Sequence, residues 1–403
     1  MVTAWDPGRC ARGPIVVVTG TGDRRPCADR HSERLVRGLQ YAFGIHSERA
    51  TLMKNLNPSV PPLSLLLASQ ILSACASPEA PAPSTAAAAT TGIANVQGPT
   101  EPVQRSSPAQ LVDALHTAFG NHHARAVHAK GIILEGVFTP DPQAATLTKA
   151  RHLQNQASVV TVRFSDFTGL PDVPDTSPSA NPRGIALKFT MPDGSTTDIV
   201  GHSFNGFPTS TSDEFRDLLL AIAASGPDAA KPTALDGFLE SHPVAKTFLT
   251  TQKTPASYAT IIYYGVNSFE FTNARGDSRY VRYQFVPEGG EQLLTPEQVA
   301  KSGPLYLSEG IKARIARGPF RFAYYAQLAE PGDRIADPSI AWPDTRTRVL
   351  LGTIEVRSLA PDTVTEDRAL SFSPTNLPDG IKPADPMLTF RARAYPISVK
   401  ERQ

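Results

Sequence analysis

Near the carboxyl end, the run Asp385-Pro386-Met387-Leu388-Thr389-Phe390-Arg391-Ala392-Arg393-Ala394-Tyr395-Pro396 places an arginine four residues ahead of a tyrosine. On a helix that spacing puts Arg391 and Tyr395 on one face, with Leu388 and Ala392 alongside. Asp385 suits an N-cap and Pro386 a first turn, so a short helix is predicted to begin there and to stop at Pro396. A guanidinium held against a phenol oxygen favours the phenolate, because a neighbouring cation stabilises the charged form. A tyrosinate is an anionic oxygen ligand, and one use for it is to hold haem iron.

A second set of polar residues sits on predicted strands far upstream. In Val159–Ser165 a period of two sends Arg163 and Ser165 to one face and Val160, Val162 and Phe164 to the other. In Thr197–Asn205 the same period groups Ile199, Gly201, Ser203 and Asn205, provided the strand continues that far. His128 is read as the start of a strand in which Ile132, Leu134 and Phe138 follow on its own side. Taken alone it would be an ordinary core histidine. Of the nine histidines, His122, His123, His202 and His242 show no comparable context.

These segments carry a resemblance. Arg125-Ala126-Val127-His128-Ala129-Lys130-Gly131 is similar to the distal-histidine motif of haem catalases. So are Val162-Arg163-Phe164-Ser165, Asn181-Pro182-Arg183-Gly184, Asp337-Pro338…Ala341-Trp342-Pro343 and Pro374-Thr375-Asn376-Leu377-Pro378-Asp379-Gly380-Ile381, in that family's order. The likeness runs from about Ser107 to the C-terminus. Ser203-Phe204-Asn205-Gly206-Phe207-Pro208 resembles the short branch of catalase-related peroxidases.

The resemblance implies roles. His128 would be the distal acid–base, worth about 10²–10⁴-fold in rate, with Ser165 fixing its tautomer. An asparagine of the family orients peroxide; gapless alignment puts Ser203 there, Asn205 supplies the side chain two residues on, and both stay open. Arg125 and Arg163 match arginines that bind haem propionates, and Arg402 matches a third by its spacing from Tyr395. Tyr395 would be the axial ligand of the iron of haem b, with Arg391 keeping it ionised. The resemblance implies no NADPH, and no G-x-G-x-x-G follows a strand.

Composition narrows the partners. With 39 basic and 38 acidic residues there is no electrostatic footprint for nucleic acid. The three cysteines, Cys10, Cys27 and Cys75, all precede the motif-bearing region, so no disulfide framework or C-x-x-C metal site is expected. Residues 1–52 lack a sustained period and read as an unstructured leader, or as an over-called start with translation beginning at Met53 instead of Met1. Residues 53–75 read as a signal peptide ending in Leu72-Ser73-Ala74-Cys75, which is similar to a lipobox; a chance match inside a leader is the alternative. Residues 76–106 are an Ala/Ser/Pro/Thr-rich tether. The expected placement is the cell envelope or periplasm, with lipid on Cys75 as the only membrane contact; otherwise periplasmic or cytoplasmic.

Residues 107–403 read as one domain. A helix is predicted at Pro108–Phe119, with Leu111, Leu115 and Ala118 as its apolar stripe. Strands are predicted at Val127–Phe138, Val159–Ser165, Ile185–Thr190, Thr197–Ser203, Ala259–Tyr264, Ser268–Asn273, Tyr280–Val286, Arg321–Gln327 and Arg348–Val356. A helical insertion, Asp213–Ala224 and Ala234–Leu249, interrupts them. Many antiparallel strands with a helical block give an α+β fold around a closed or nearly closed β-barrel. The resemblance adds haem packed against one side of the barrel.

Three functions follow from these readings. The first is a haem peroxidase that takes hydrogen peroxide or organic hydroperoxides and oxidises a separate small donor. The second is a fatty-acid hydroperoxide isomerase or lyase similar to allene oxide synthase, in which the residue before the distal histidine looks like Thr; here it is Val127. The third is a non-enzymatic haem-binding lipoprotein, which would need no group such as His128. Because the chain runs only eight residues past Tyr395, a shorter and more open access route is expected.

Overall fold

The computed structural model describes residues 105–402; the leader, the signal-like segment and nearly all of the tether lie outside them. Eight strands form the core: β1 Gly131–Pro140, β2 Ser158–Ser165, β3 Gly184–Thr190, β4 Thr196–His202, β5 Tyr263–Thr272, β6 Ser278–Pro287, β7 Phe320–Leu328 and β8 Arg348–Leu359. All pairings are antiparallel, in the order β4-β3-β2-β1-β8-β7-β6-β5. A bridge from β4 to β5, His202 opposite Tyr264, closes the barrel. A ninth strand, β9 Ile381–Pro383, adds to the outside of β5. The α+β barrel expected from the strand spacing is the observed architecture.

Alternation along the strands fills the barrel. Val160, Val162 and Phe164 of β2 point inward with Leu187, Phe189, Phe322 and Tyr324, all inaccessible to solvent. Arg163 and Ser165 point outward, as the period of two required. A second apolar cluster lies outside the barrel, joining Leu111, Leu115 and Phe119 of helix Pro108–Phe119 to Leu218, Phe248 and Phe390. The functional cavity lies between these two cores.

Several boundaries differ from the sequence reading. The strand expected from Val127 begins only at Gly131, because His128 adopts φ +57° and the chain turns. Ile132, Leu134 and Phe138 enter the barrel core, and His128 stays outside it. The two strands expected at Ala259–Tyr264 and Ser268–Asn273 are one strand, β5, with a register shift between Gly265 and Phe269. The weak point in the sequence is a bulge. The predicted helix Ala234–Leu249 is two, Ala234–Ser241 and Pro243–Thr250, because Pro243 has no N–H to continue the first.

The terminal helix corrects the expected stop. It runs from Pro386 to Arg402 with Pro396 inside it. One backbone bond is missing at the proline, but tertiary contacts hold the turns beyond. Ser398 Oγ accepts the Ala126 N–H at 3.2 Å, Glu401 pairs with His116 at 2.8 Å, and Arg402 donates to the Leu370 carbonyl at 2.8 Å.

Candidate active site

A large cavity, with about 1320 Å³ of empty space including its open mouth, lies against the outer face of β2, β3 and β4 and under the terminal helix. Its walls are mostly apolar, with Leu115, Val127, Phe167, Val200, Val266 and Met387 among them. His128 and Ser165 stand on the barrel wall, and Tyr395 and Arg391 on the helix wall. Arg125, Arg163 and Arg402 also line it. Seven of the nine residues singled out from the sequence therefore meet in one place.

The barrel wall is built by strand register. Gly131 of β1 pairs with Ser165 of β2, Ser165 with Gly184 of β3, and Gly184 with His202 of β4. Directly paired residues of antiparallel strands send their side chains to the same face. The row thus alternates Gly, Ser, Gly, His across the outer surface. The His128 ring fills the space above Gly184: a Cβ there would lie 2.7 Å from His128 Nδ1 and 2.3 Å from Ser165 Oγ. Only glycine leaves this room. Ser165 Oγ lies 3.1 Å from His128 Nδ1. The His128 ring also meets Phe167 edge-on, with centroids 5.5 Å apart.

Neighbouring motif residues hold this loop. His128 N–H donates to the Phe167 carbonyl at 2.8 Å and Ala129 N–H to Thr168 at 3.0 Å. Lys130 pairs with buried Asp175, and fully buried Arg183 pairs with Asp166, whose carboxylate also accepts Tyr258 Oη at 3.0 Å. The Asp337–Pro343 segment wraps Arg282, which donates to the Asp337 carbonyl at 2.9 Å and lies over the Trp342 ring. Asn376 tethers β4 by accepting from Thr197 Oγ1 at 2.7 Å. These motifs are scaffold.

Burial sets the electrostatics of the histidine. Desolvation, helped by the charge of Arg163, by His202 and by Arg391, pushes His128 down from its ordinary 6.5 to about 3, while a backbone hydrogen bond at Asp166 opposes the shift. His128 is neutral at physiological pH and its imidazole can take up a proton.

On the helix wall Arg391 Nη2 donates to Tyr395 Oη at 2.5 Å. Its Nη1 donates to Asn267 Oδ1 at 2.8 Å, and Asn267 Nδ2 donates to Asp385 Oδ2 at 2.7 Å. Asp385 Oδ1 accepts the Met387 N–H at 2.8 Å, the N-cap read from the sequence. A single chain of bonds thus runs from the helix start to the phenol. Burial raises the Asp385 carboxyl from 3.8 to about 6, against the pull of Asn267 and the helix amide.

The arginines form a cationic edge. Arg125 and Arg163 both bind the carboxylate of Asp367, on helix Thr363–Ala369, and Arg402 approaches the same group. Burial first, then Arg163, lowers Arg125 to about 9, with Asp367 opposing. Burial alone would raise Asp367, but hydrogen bonds and charge from Arg163 and Arg125 hold it below its usual range. Arg125 Nε is buried with no hydrogen-bond partner among the described residues. Arg402 donates its hydrogen bonds to the Arg368 and Leu370 carbonyls, so the three guanidiniums and the one carboxylate leave an excess of two positive charges (3 − 1).

Ser203 and Asn205 are placed elsewhere. β4 ends at His202, so the face grouping Ile199 with Ser203 and Asn205 is not the cavity face; Ile199 lies in the barrel core. Ser203 Oγ accepts the Arg183 N–H at 2.9 Å, and neither Ser203 nor Asn205 lines the cavity. His202 lines it instead, together with Asn267. The choice of face was legible: Ile199 is the residue a barrel interior needs, which sends Val200 and His202 outward. Asn267 and Asp367 left no such signal, since a bulge aims the first and a distant helix brings the second.

Comparison with known proteins agrees with this architecture. The chain is 37% identical over 304 residues to the catalase-related peroxidase of Mycolicibacterium paratuberculosis, covering 73% of this chain and 95% of that protein. It is 32% identical over 303 residues to the catalase-related peroxidase of Synechococcus elongatus, covering 73% and 88%. Against the catalase of Vibrio parahaemolyticus identity is 28%, and the match spans 56% of that protein. The solved structure of a fungal catalase superposes with a TM-score of 0.63 at 22% identity, covering 69% of this chain and 59% of that one, and so attests the fold. The catalase family profile matches residues 110–403, and this chain belongs to the catalase family.

Proposed function

We propose that the chain is a haem-dependent peroxidase that reduces hydrogen peroxide or organic hydroperoxides while oxidising a separate small donor. The observation that carries this reading is one apolar cavity with the His128–Ser165 pair on its barrel wall and the Tyr395–Arg391 pair on its helix wall. The likeness to two catalase-related peroxidases, over nearly their whole length, supports it.

The cavity suits haem b. Its walls are apolar, and its arginine edge carries two uncompensated positive charges and an orphaned Arg125 Nε, a match for two propionates that an apolar site would otherwise reject. Tyr395 would hold the iron, and Arg125, Arg163 and Arg402 the propionates. When bound, the haem supplies the electron-transfer chemistry that splits the peroxide O–O bond.

The chain's own groups supply proton transfer and positioning. His128, neutral by burial, accepts a proton from a hydroperoxide and returns it to the departing oxygen. Ser165 Oγ, 3.1 Å from Nδ1, can accept a hydrogen bond there, and in that tautomer Nε2 carries the lone pair that takes the substrate proton. Arg391 donates to the Tyr395 oxygen and would hold it towards the iron, and Asn267 and Asp385 keep the guanidinium in place. Phe167 and Val127 exclude bulk water from the imidazole.

Purified protein supplemented with haem should show the absorption of a tyrosinate-ligated ferric haem. It should also oxidise a phenolic donor with cumene hydroperoxide as well as with hydrogen peroxide. Oxygen release without donor oxidation would mark a catalase instead. Conversion of a fatty-acid hydroperoxide without a donor would mark an isomerase. Absence of the haem spectrum would overturn the reading. The envelope placement, with lipid on Cys75, is a further proposal that the intact mass of the mature protein tests.

A further inference from the structure

The helical wall of the cavity carries a polar group that the proposed chemistry leaves unused. Ser212 opens the helix Ser212–Ala223 and lines the cavity with Leu111, Val112 and Leu115 of helix Pro108–Phe119 and with Phe207 and Phe215. Its place is on the His128 side. A row of rings connects the two: His202, paired with Gly184 beneath His128, lies 6.3 Å from Phe207, and Phe207 lies 4.9 Å from Phe215, measured between centroids.

Ser212 is 2% exposed, and its Oγ has no hydrogen-bond partner among the described residues. The other polar side chains of residues 209–214 each have one. Thr209 Oγ1 donates to the Thr211 carbonyl, Ser210 Oγ donates to Glu214, and Thr211 Oγ1 accepts the Glu214 N–H. Asp213 accepts the backbone N–H groups of Arg105 and Ser106. A serine inside a helix can donate to the carbonyl one turn back, but Ser212 is the first residue of its helix and has no such carbonyl. Its hydroxyl is therefore buried and calls for a partner that the folded chain does not supply.

We infer that Ser212 and the apolar wall around it form the subsite of the reducing donor, and that the donor is an uncharged aromatic bearing a hydroxyl, a phenol. The inference rests on the peroxidase reading above. Phe207 and Phe215 offer ring faces and edges to an aryl group, and Leu111 and Leu115 add aliphatic surface. A phenol hydroxyl can both donate to and accept from the Ser212 hydroxyl. The first turn of the helix carries the carboxylates of Asp213 and Glu214, so a negatively charged donor would be repelled there.

Binding to the haem-loaded full chain without peroxide tests this, with phenol and toluene as probes that share a ring and differ in the hydroxyl. Their dissociation constants would be read from the haem absorption. Ser212→Ala should weaken phenol by about fivefold, the worth of one neutral hydrogen bond, and leave toluene unchanged. Ser212→Thr, which keeps the hydroxyl, should hold phenol near its wild-type affinity. Benzoate should be indifferent to the alanine change. In turnover, the KM for phenol should rise by the same factor in Ser212→Ala, with kcat and the KM for cumene hydroperoxide little changed. Unchanged phenol affinity in the alanine variant, equal weakening of phenol and toluene, or equal losses in Ala and Thr would overturn the inference. A loss confined to benzoate, or to the KM for the hydroperoxide, would overturn the assignment to a phenolic donor. Each of these outcomes leaves the peroxidase reading intact, whereas failure of the wild-type chain to take up haem would overturn both.

Discussion

Two side chains carry predictions of their own. Tyr395 is the one tyrosine held against Arg391 on the cavity wall, and Tyr395→Phe removes the phenol oxygen while nearly keeping its volume. Haem content per chain, measured after supplementation and gel filtration, should fall sharply, and a wild-type spectrum would sink the axial assignment. Gly184 has the opposite role: its lack of a side chain is what lets His128 reach Ser165. Gly184→Ala would put a methyl into both groups, at a cost of about 1–3 kcal/mol. Thermal unfolding should report that loss. Peroxide turnover should fall towards the level of His128→Ala, about 10²–10⁴-fold below wild type. Haem should remain bound, since neither change touches the helix wall.

At the scale of elements, the terminal helix is the part whose placement decides the site. Asp385 caps it and also holds Asn267, which holds Arg391. Asp385→Ala should therefore cost about 1–2 kcal/mol as a lost cap, seen as a lower urea midpoint. It should also loosen Arg391, so haem should dissociate faster than from wild type. Asp385→Asn keeps an oxygen for the Met387 amide and should restore most of the stability. If alanine and asparagine behaved alike, the cap would not be what holds the helix start.

The whole molecule should be acid-labile, for a reason its histidines supply. His128, His152 and His202 are all buried and shifted from 6.5 to about 3, in each case first by desolvation. Unfolding frees each to take up a proton below 6.5, so their contribution to stability is complete above 6.5 and lost as the pH falls towards 3. Asp385 works the other way: its raised carboxyl keeps a proton between 3.8 and about 6 that the unfolded chain releases, favouring the native state at the lower pH. Three protons against the one of Asp385, with the buried Asp166 carboxyl also raised, leave a net uptake of at most about two on unfolding near pH 5, a slope of at most about 3 kcal/mol per pH unit. Urea midpoints at pH 7, 6 and 5, with haem content matched, should fall steadily. A flat series would mean that these histidines are charged or hydrated in the folded state.

Much of this was written in the order of the residues. The period of two in Val159–Ser165 separates the barrel interior from the wall that carries Arg163 and Ser165, because a strand has only two faces. The spacing of Arg391 and Tyr395 makes them neighbours on any helix, wherever the helix lies. Local periodicity determines such things, and they needed no structure. The position of His128 did not follow from it: a left-handed φ takes it out of β1 and over Gly184, a residue 56 positions later in the chain (184 − 128). The strand spacing that brings His202 beside it, the bulge that aims Asn267 and the docking of Asp367 between two arginines also join segments far apart in sequence. The terminal helix passes through Pro396 for the same reason, since Ala126, His116 and Leu370 hold turns that local propensity would have ended. Contacts across the chain outweigh the few kcal/mol at stake in any one local preference, and only the folded arrangement decides which contacts those are.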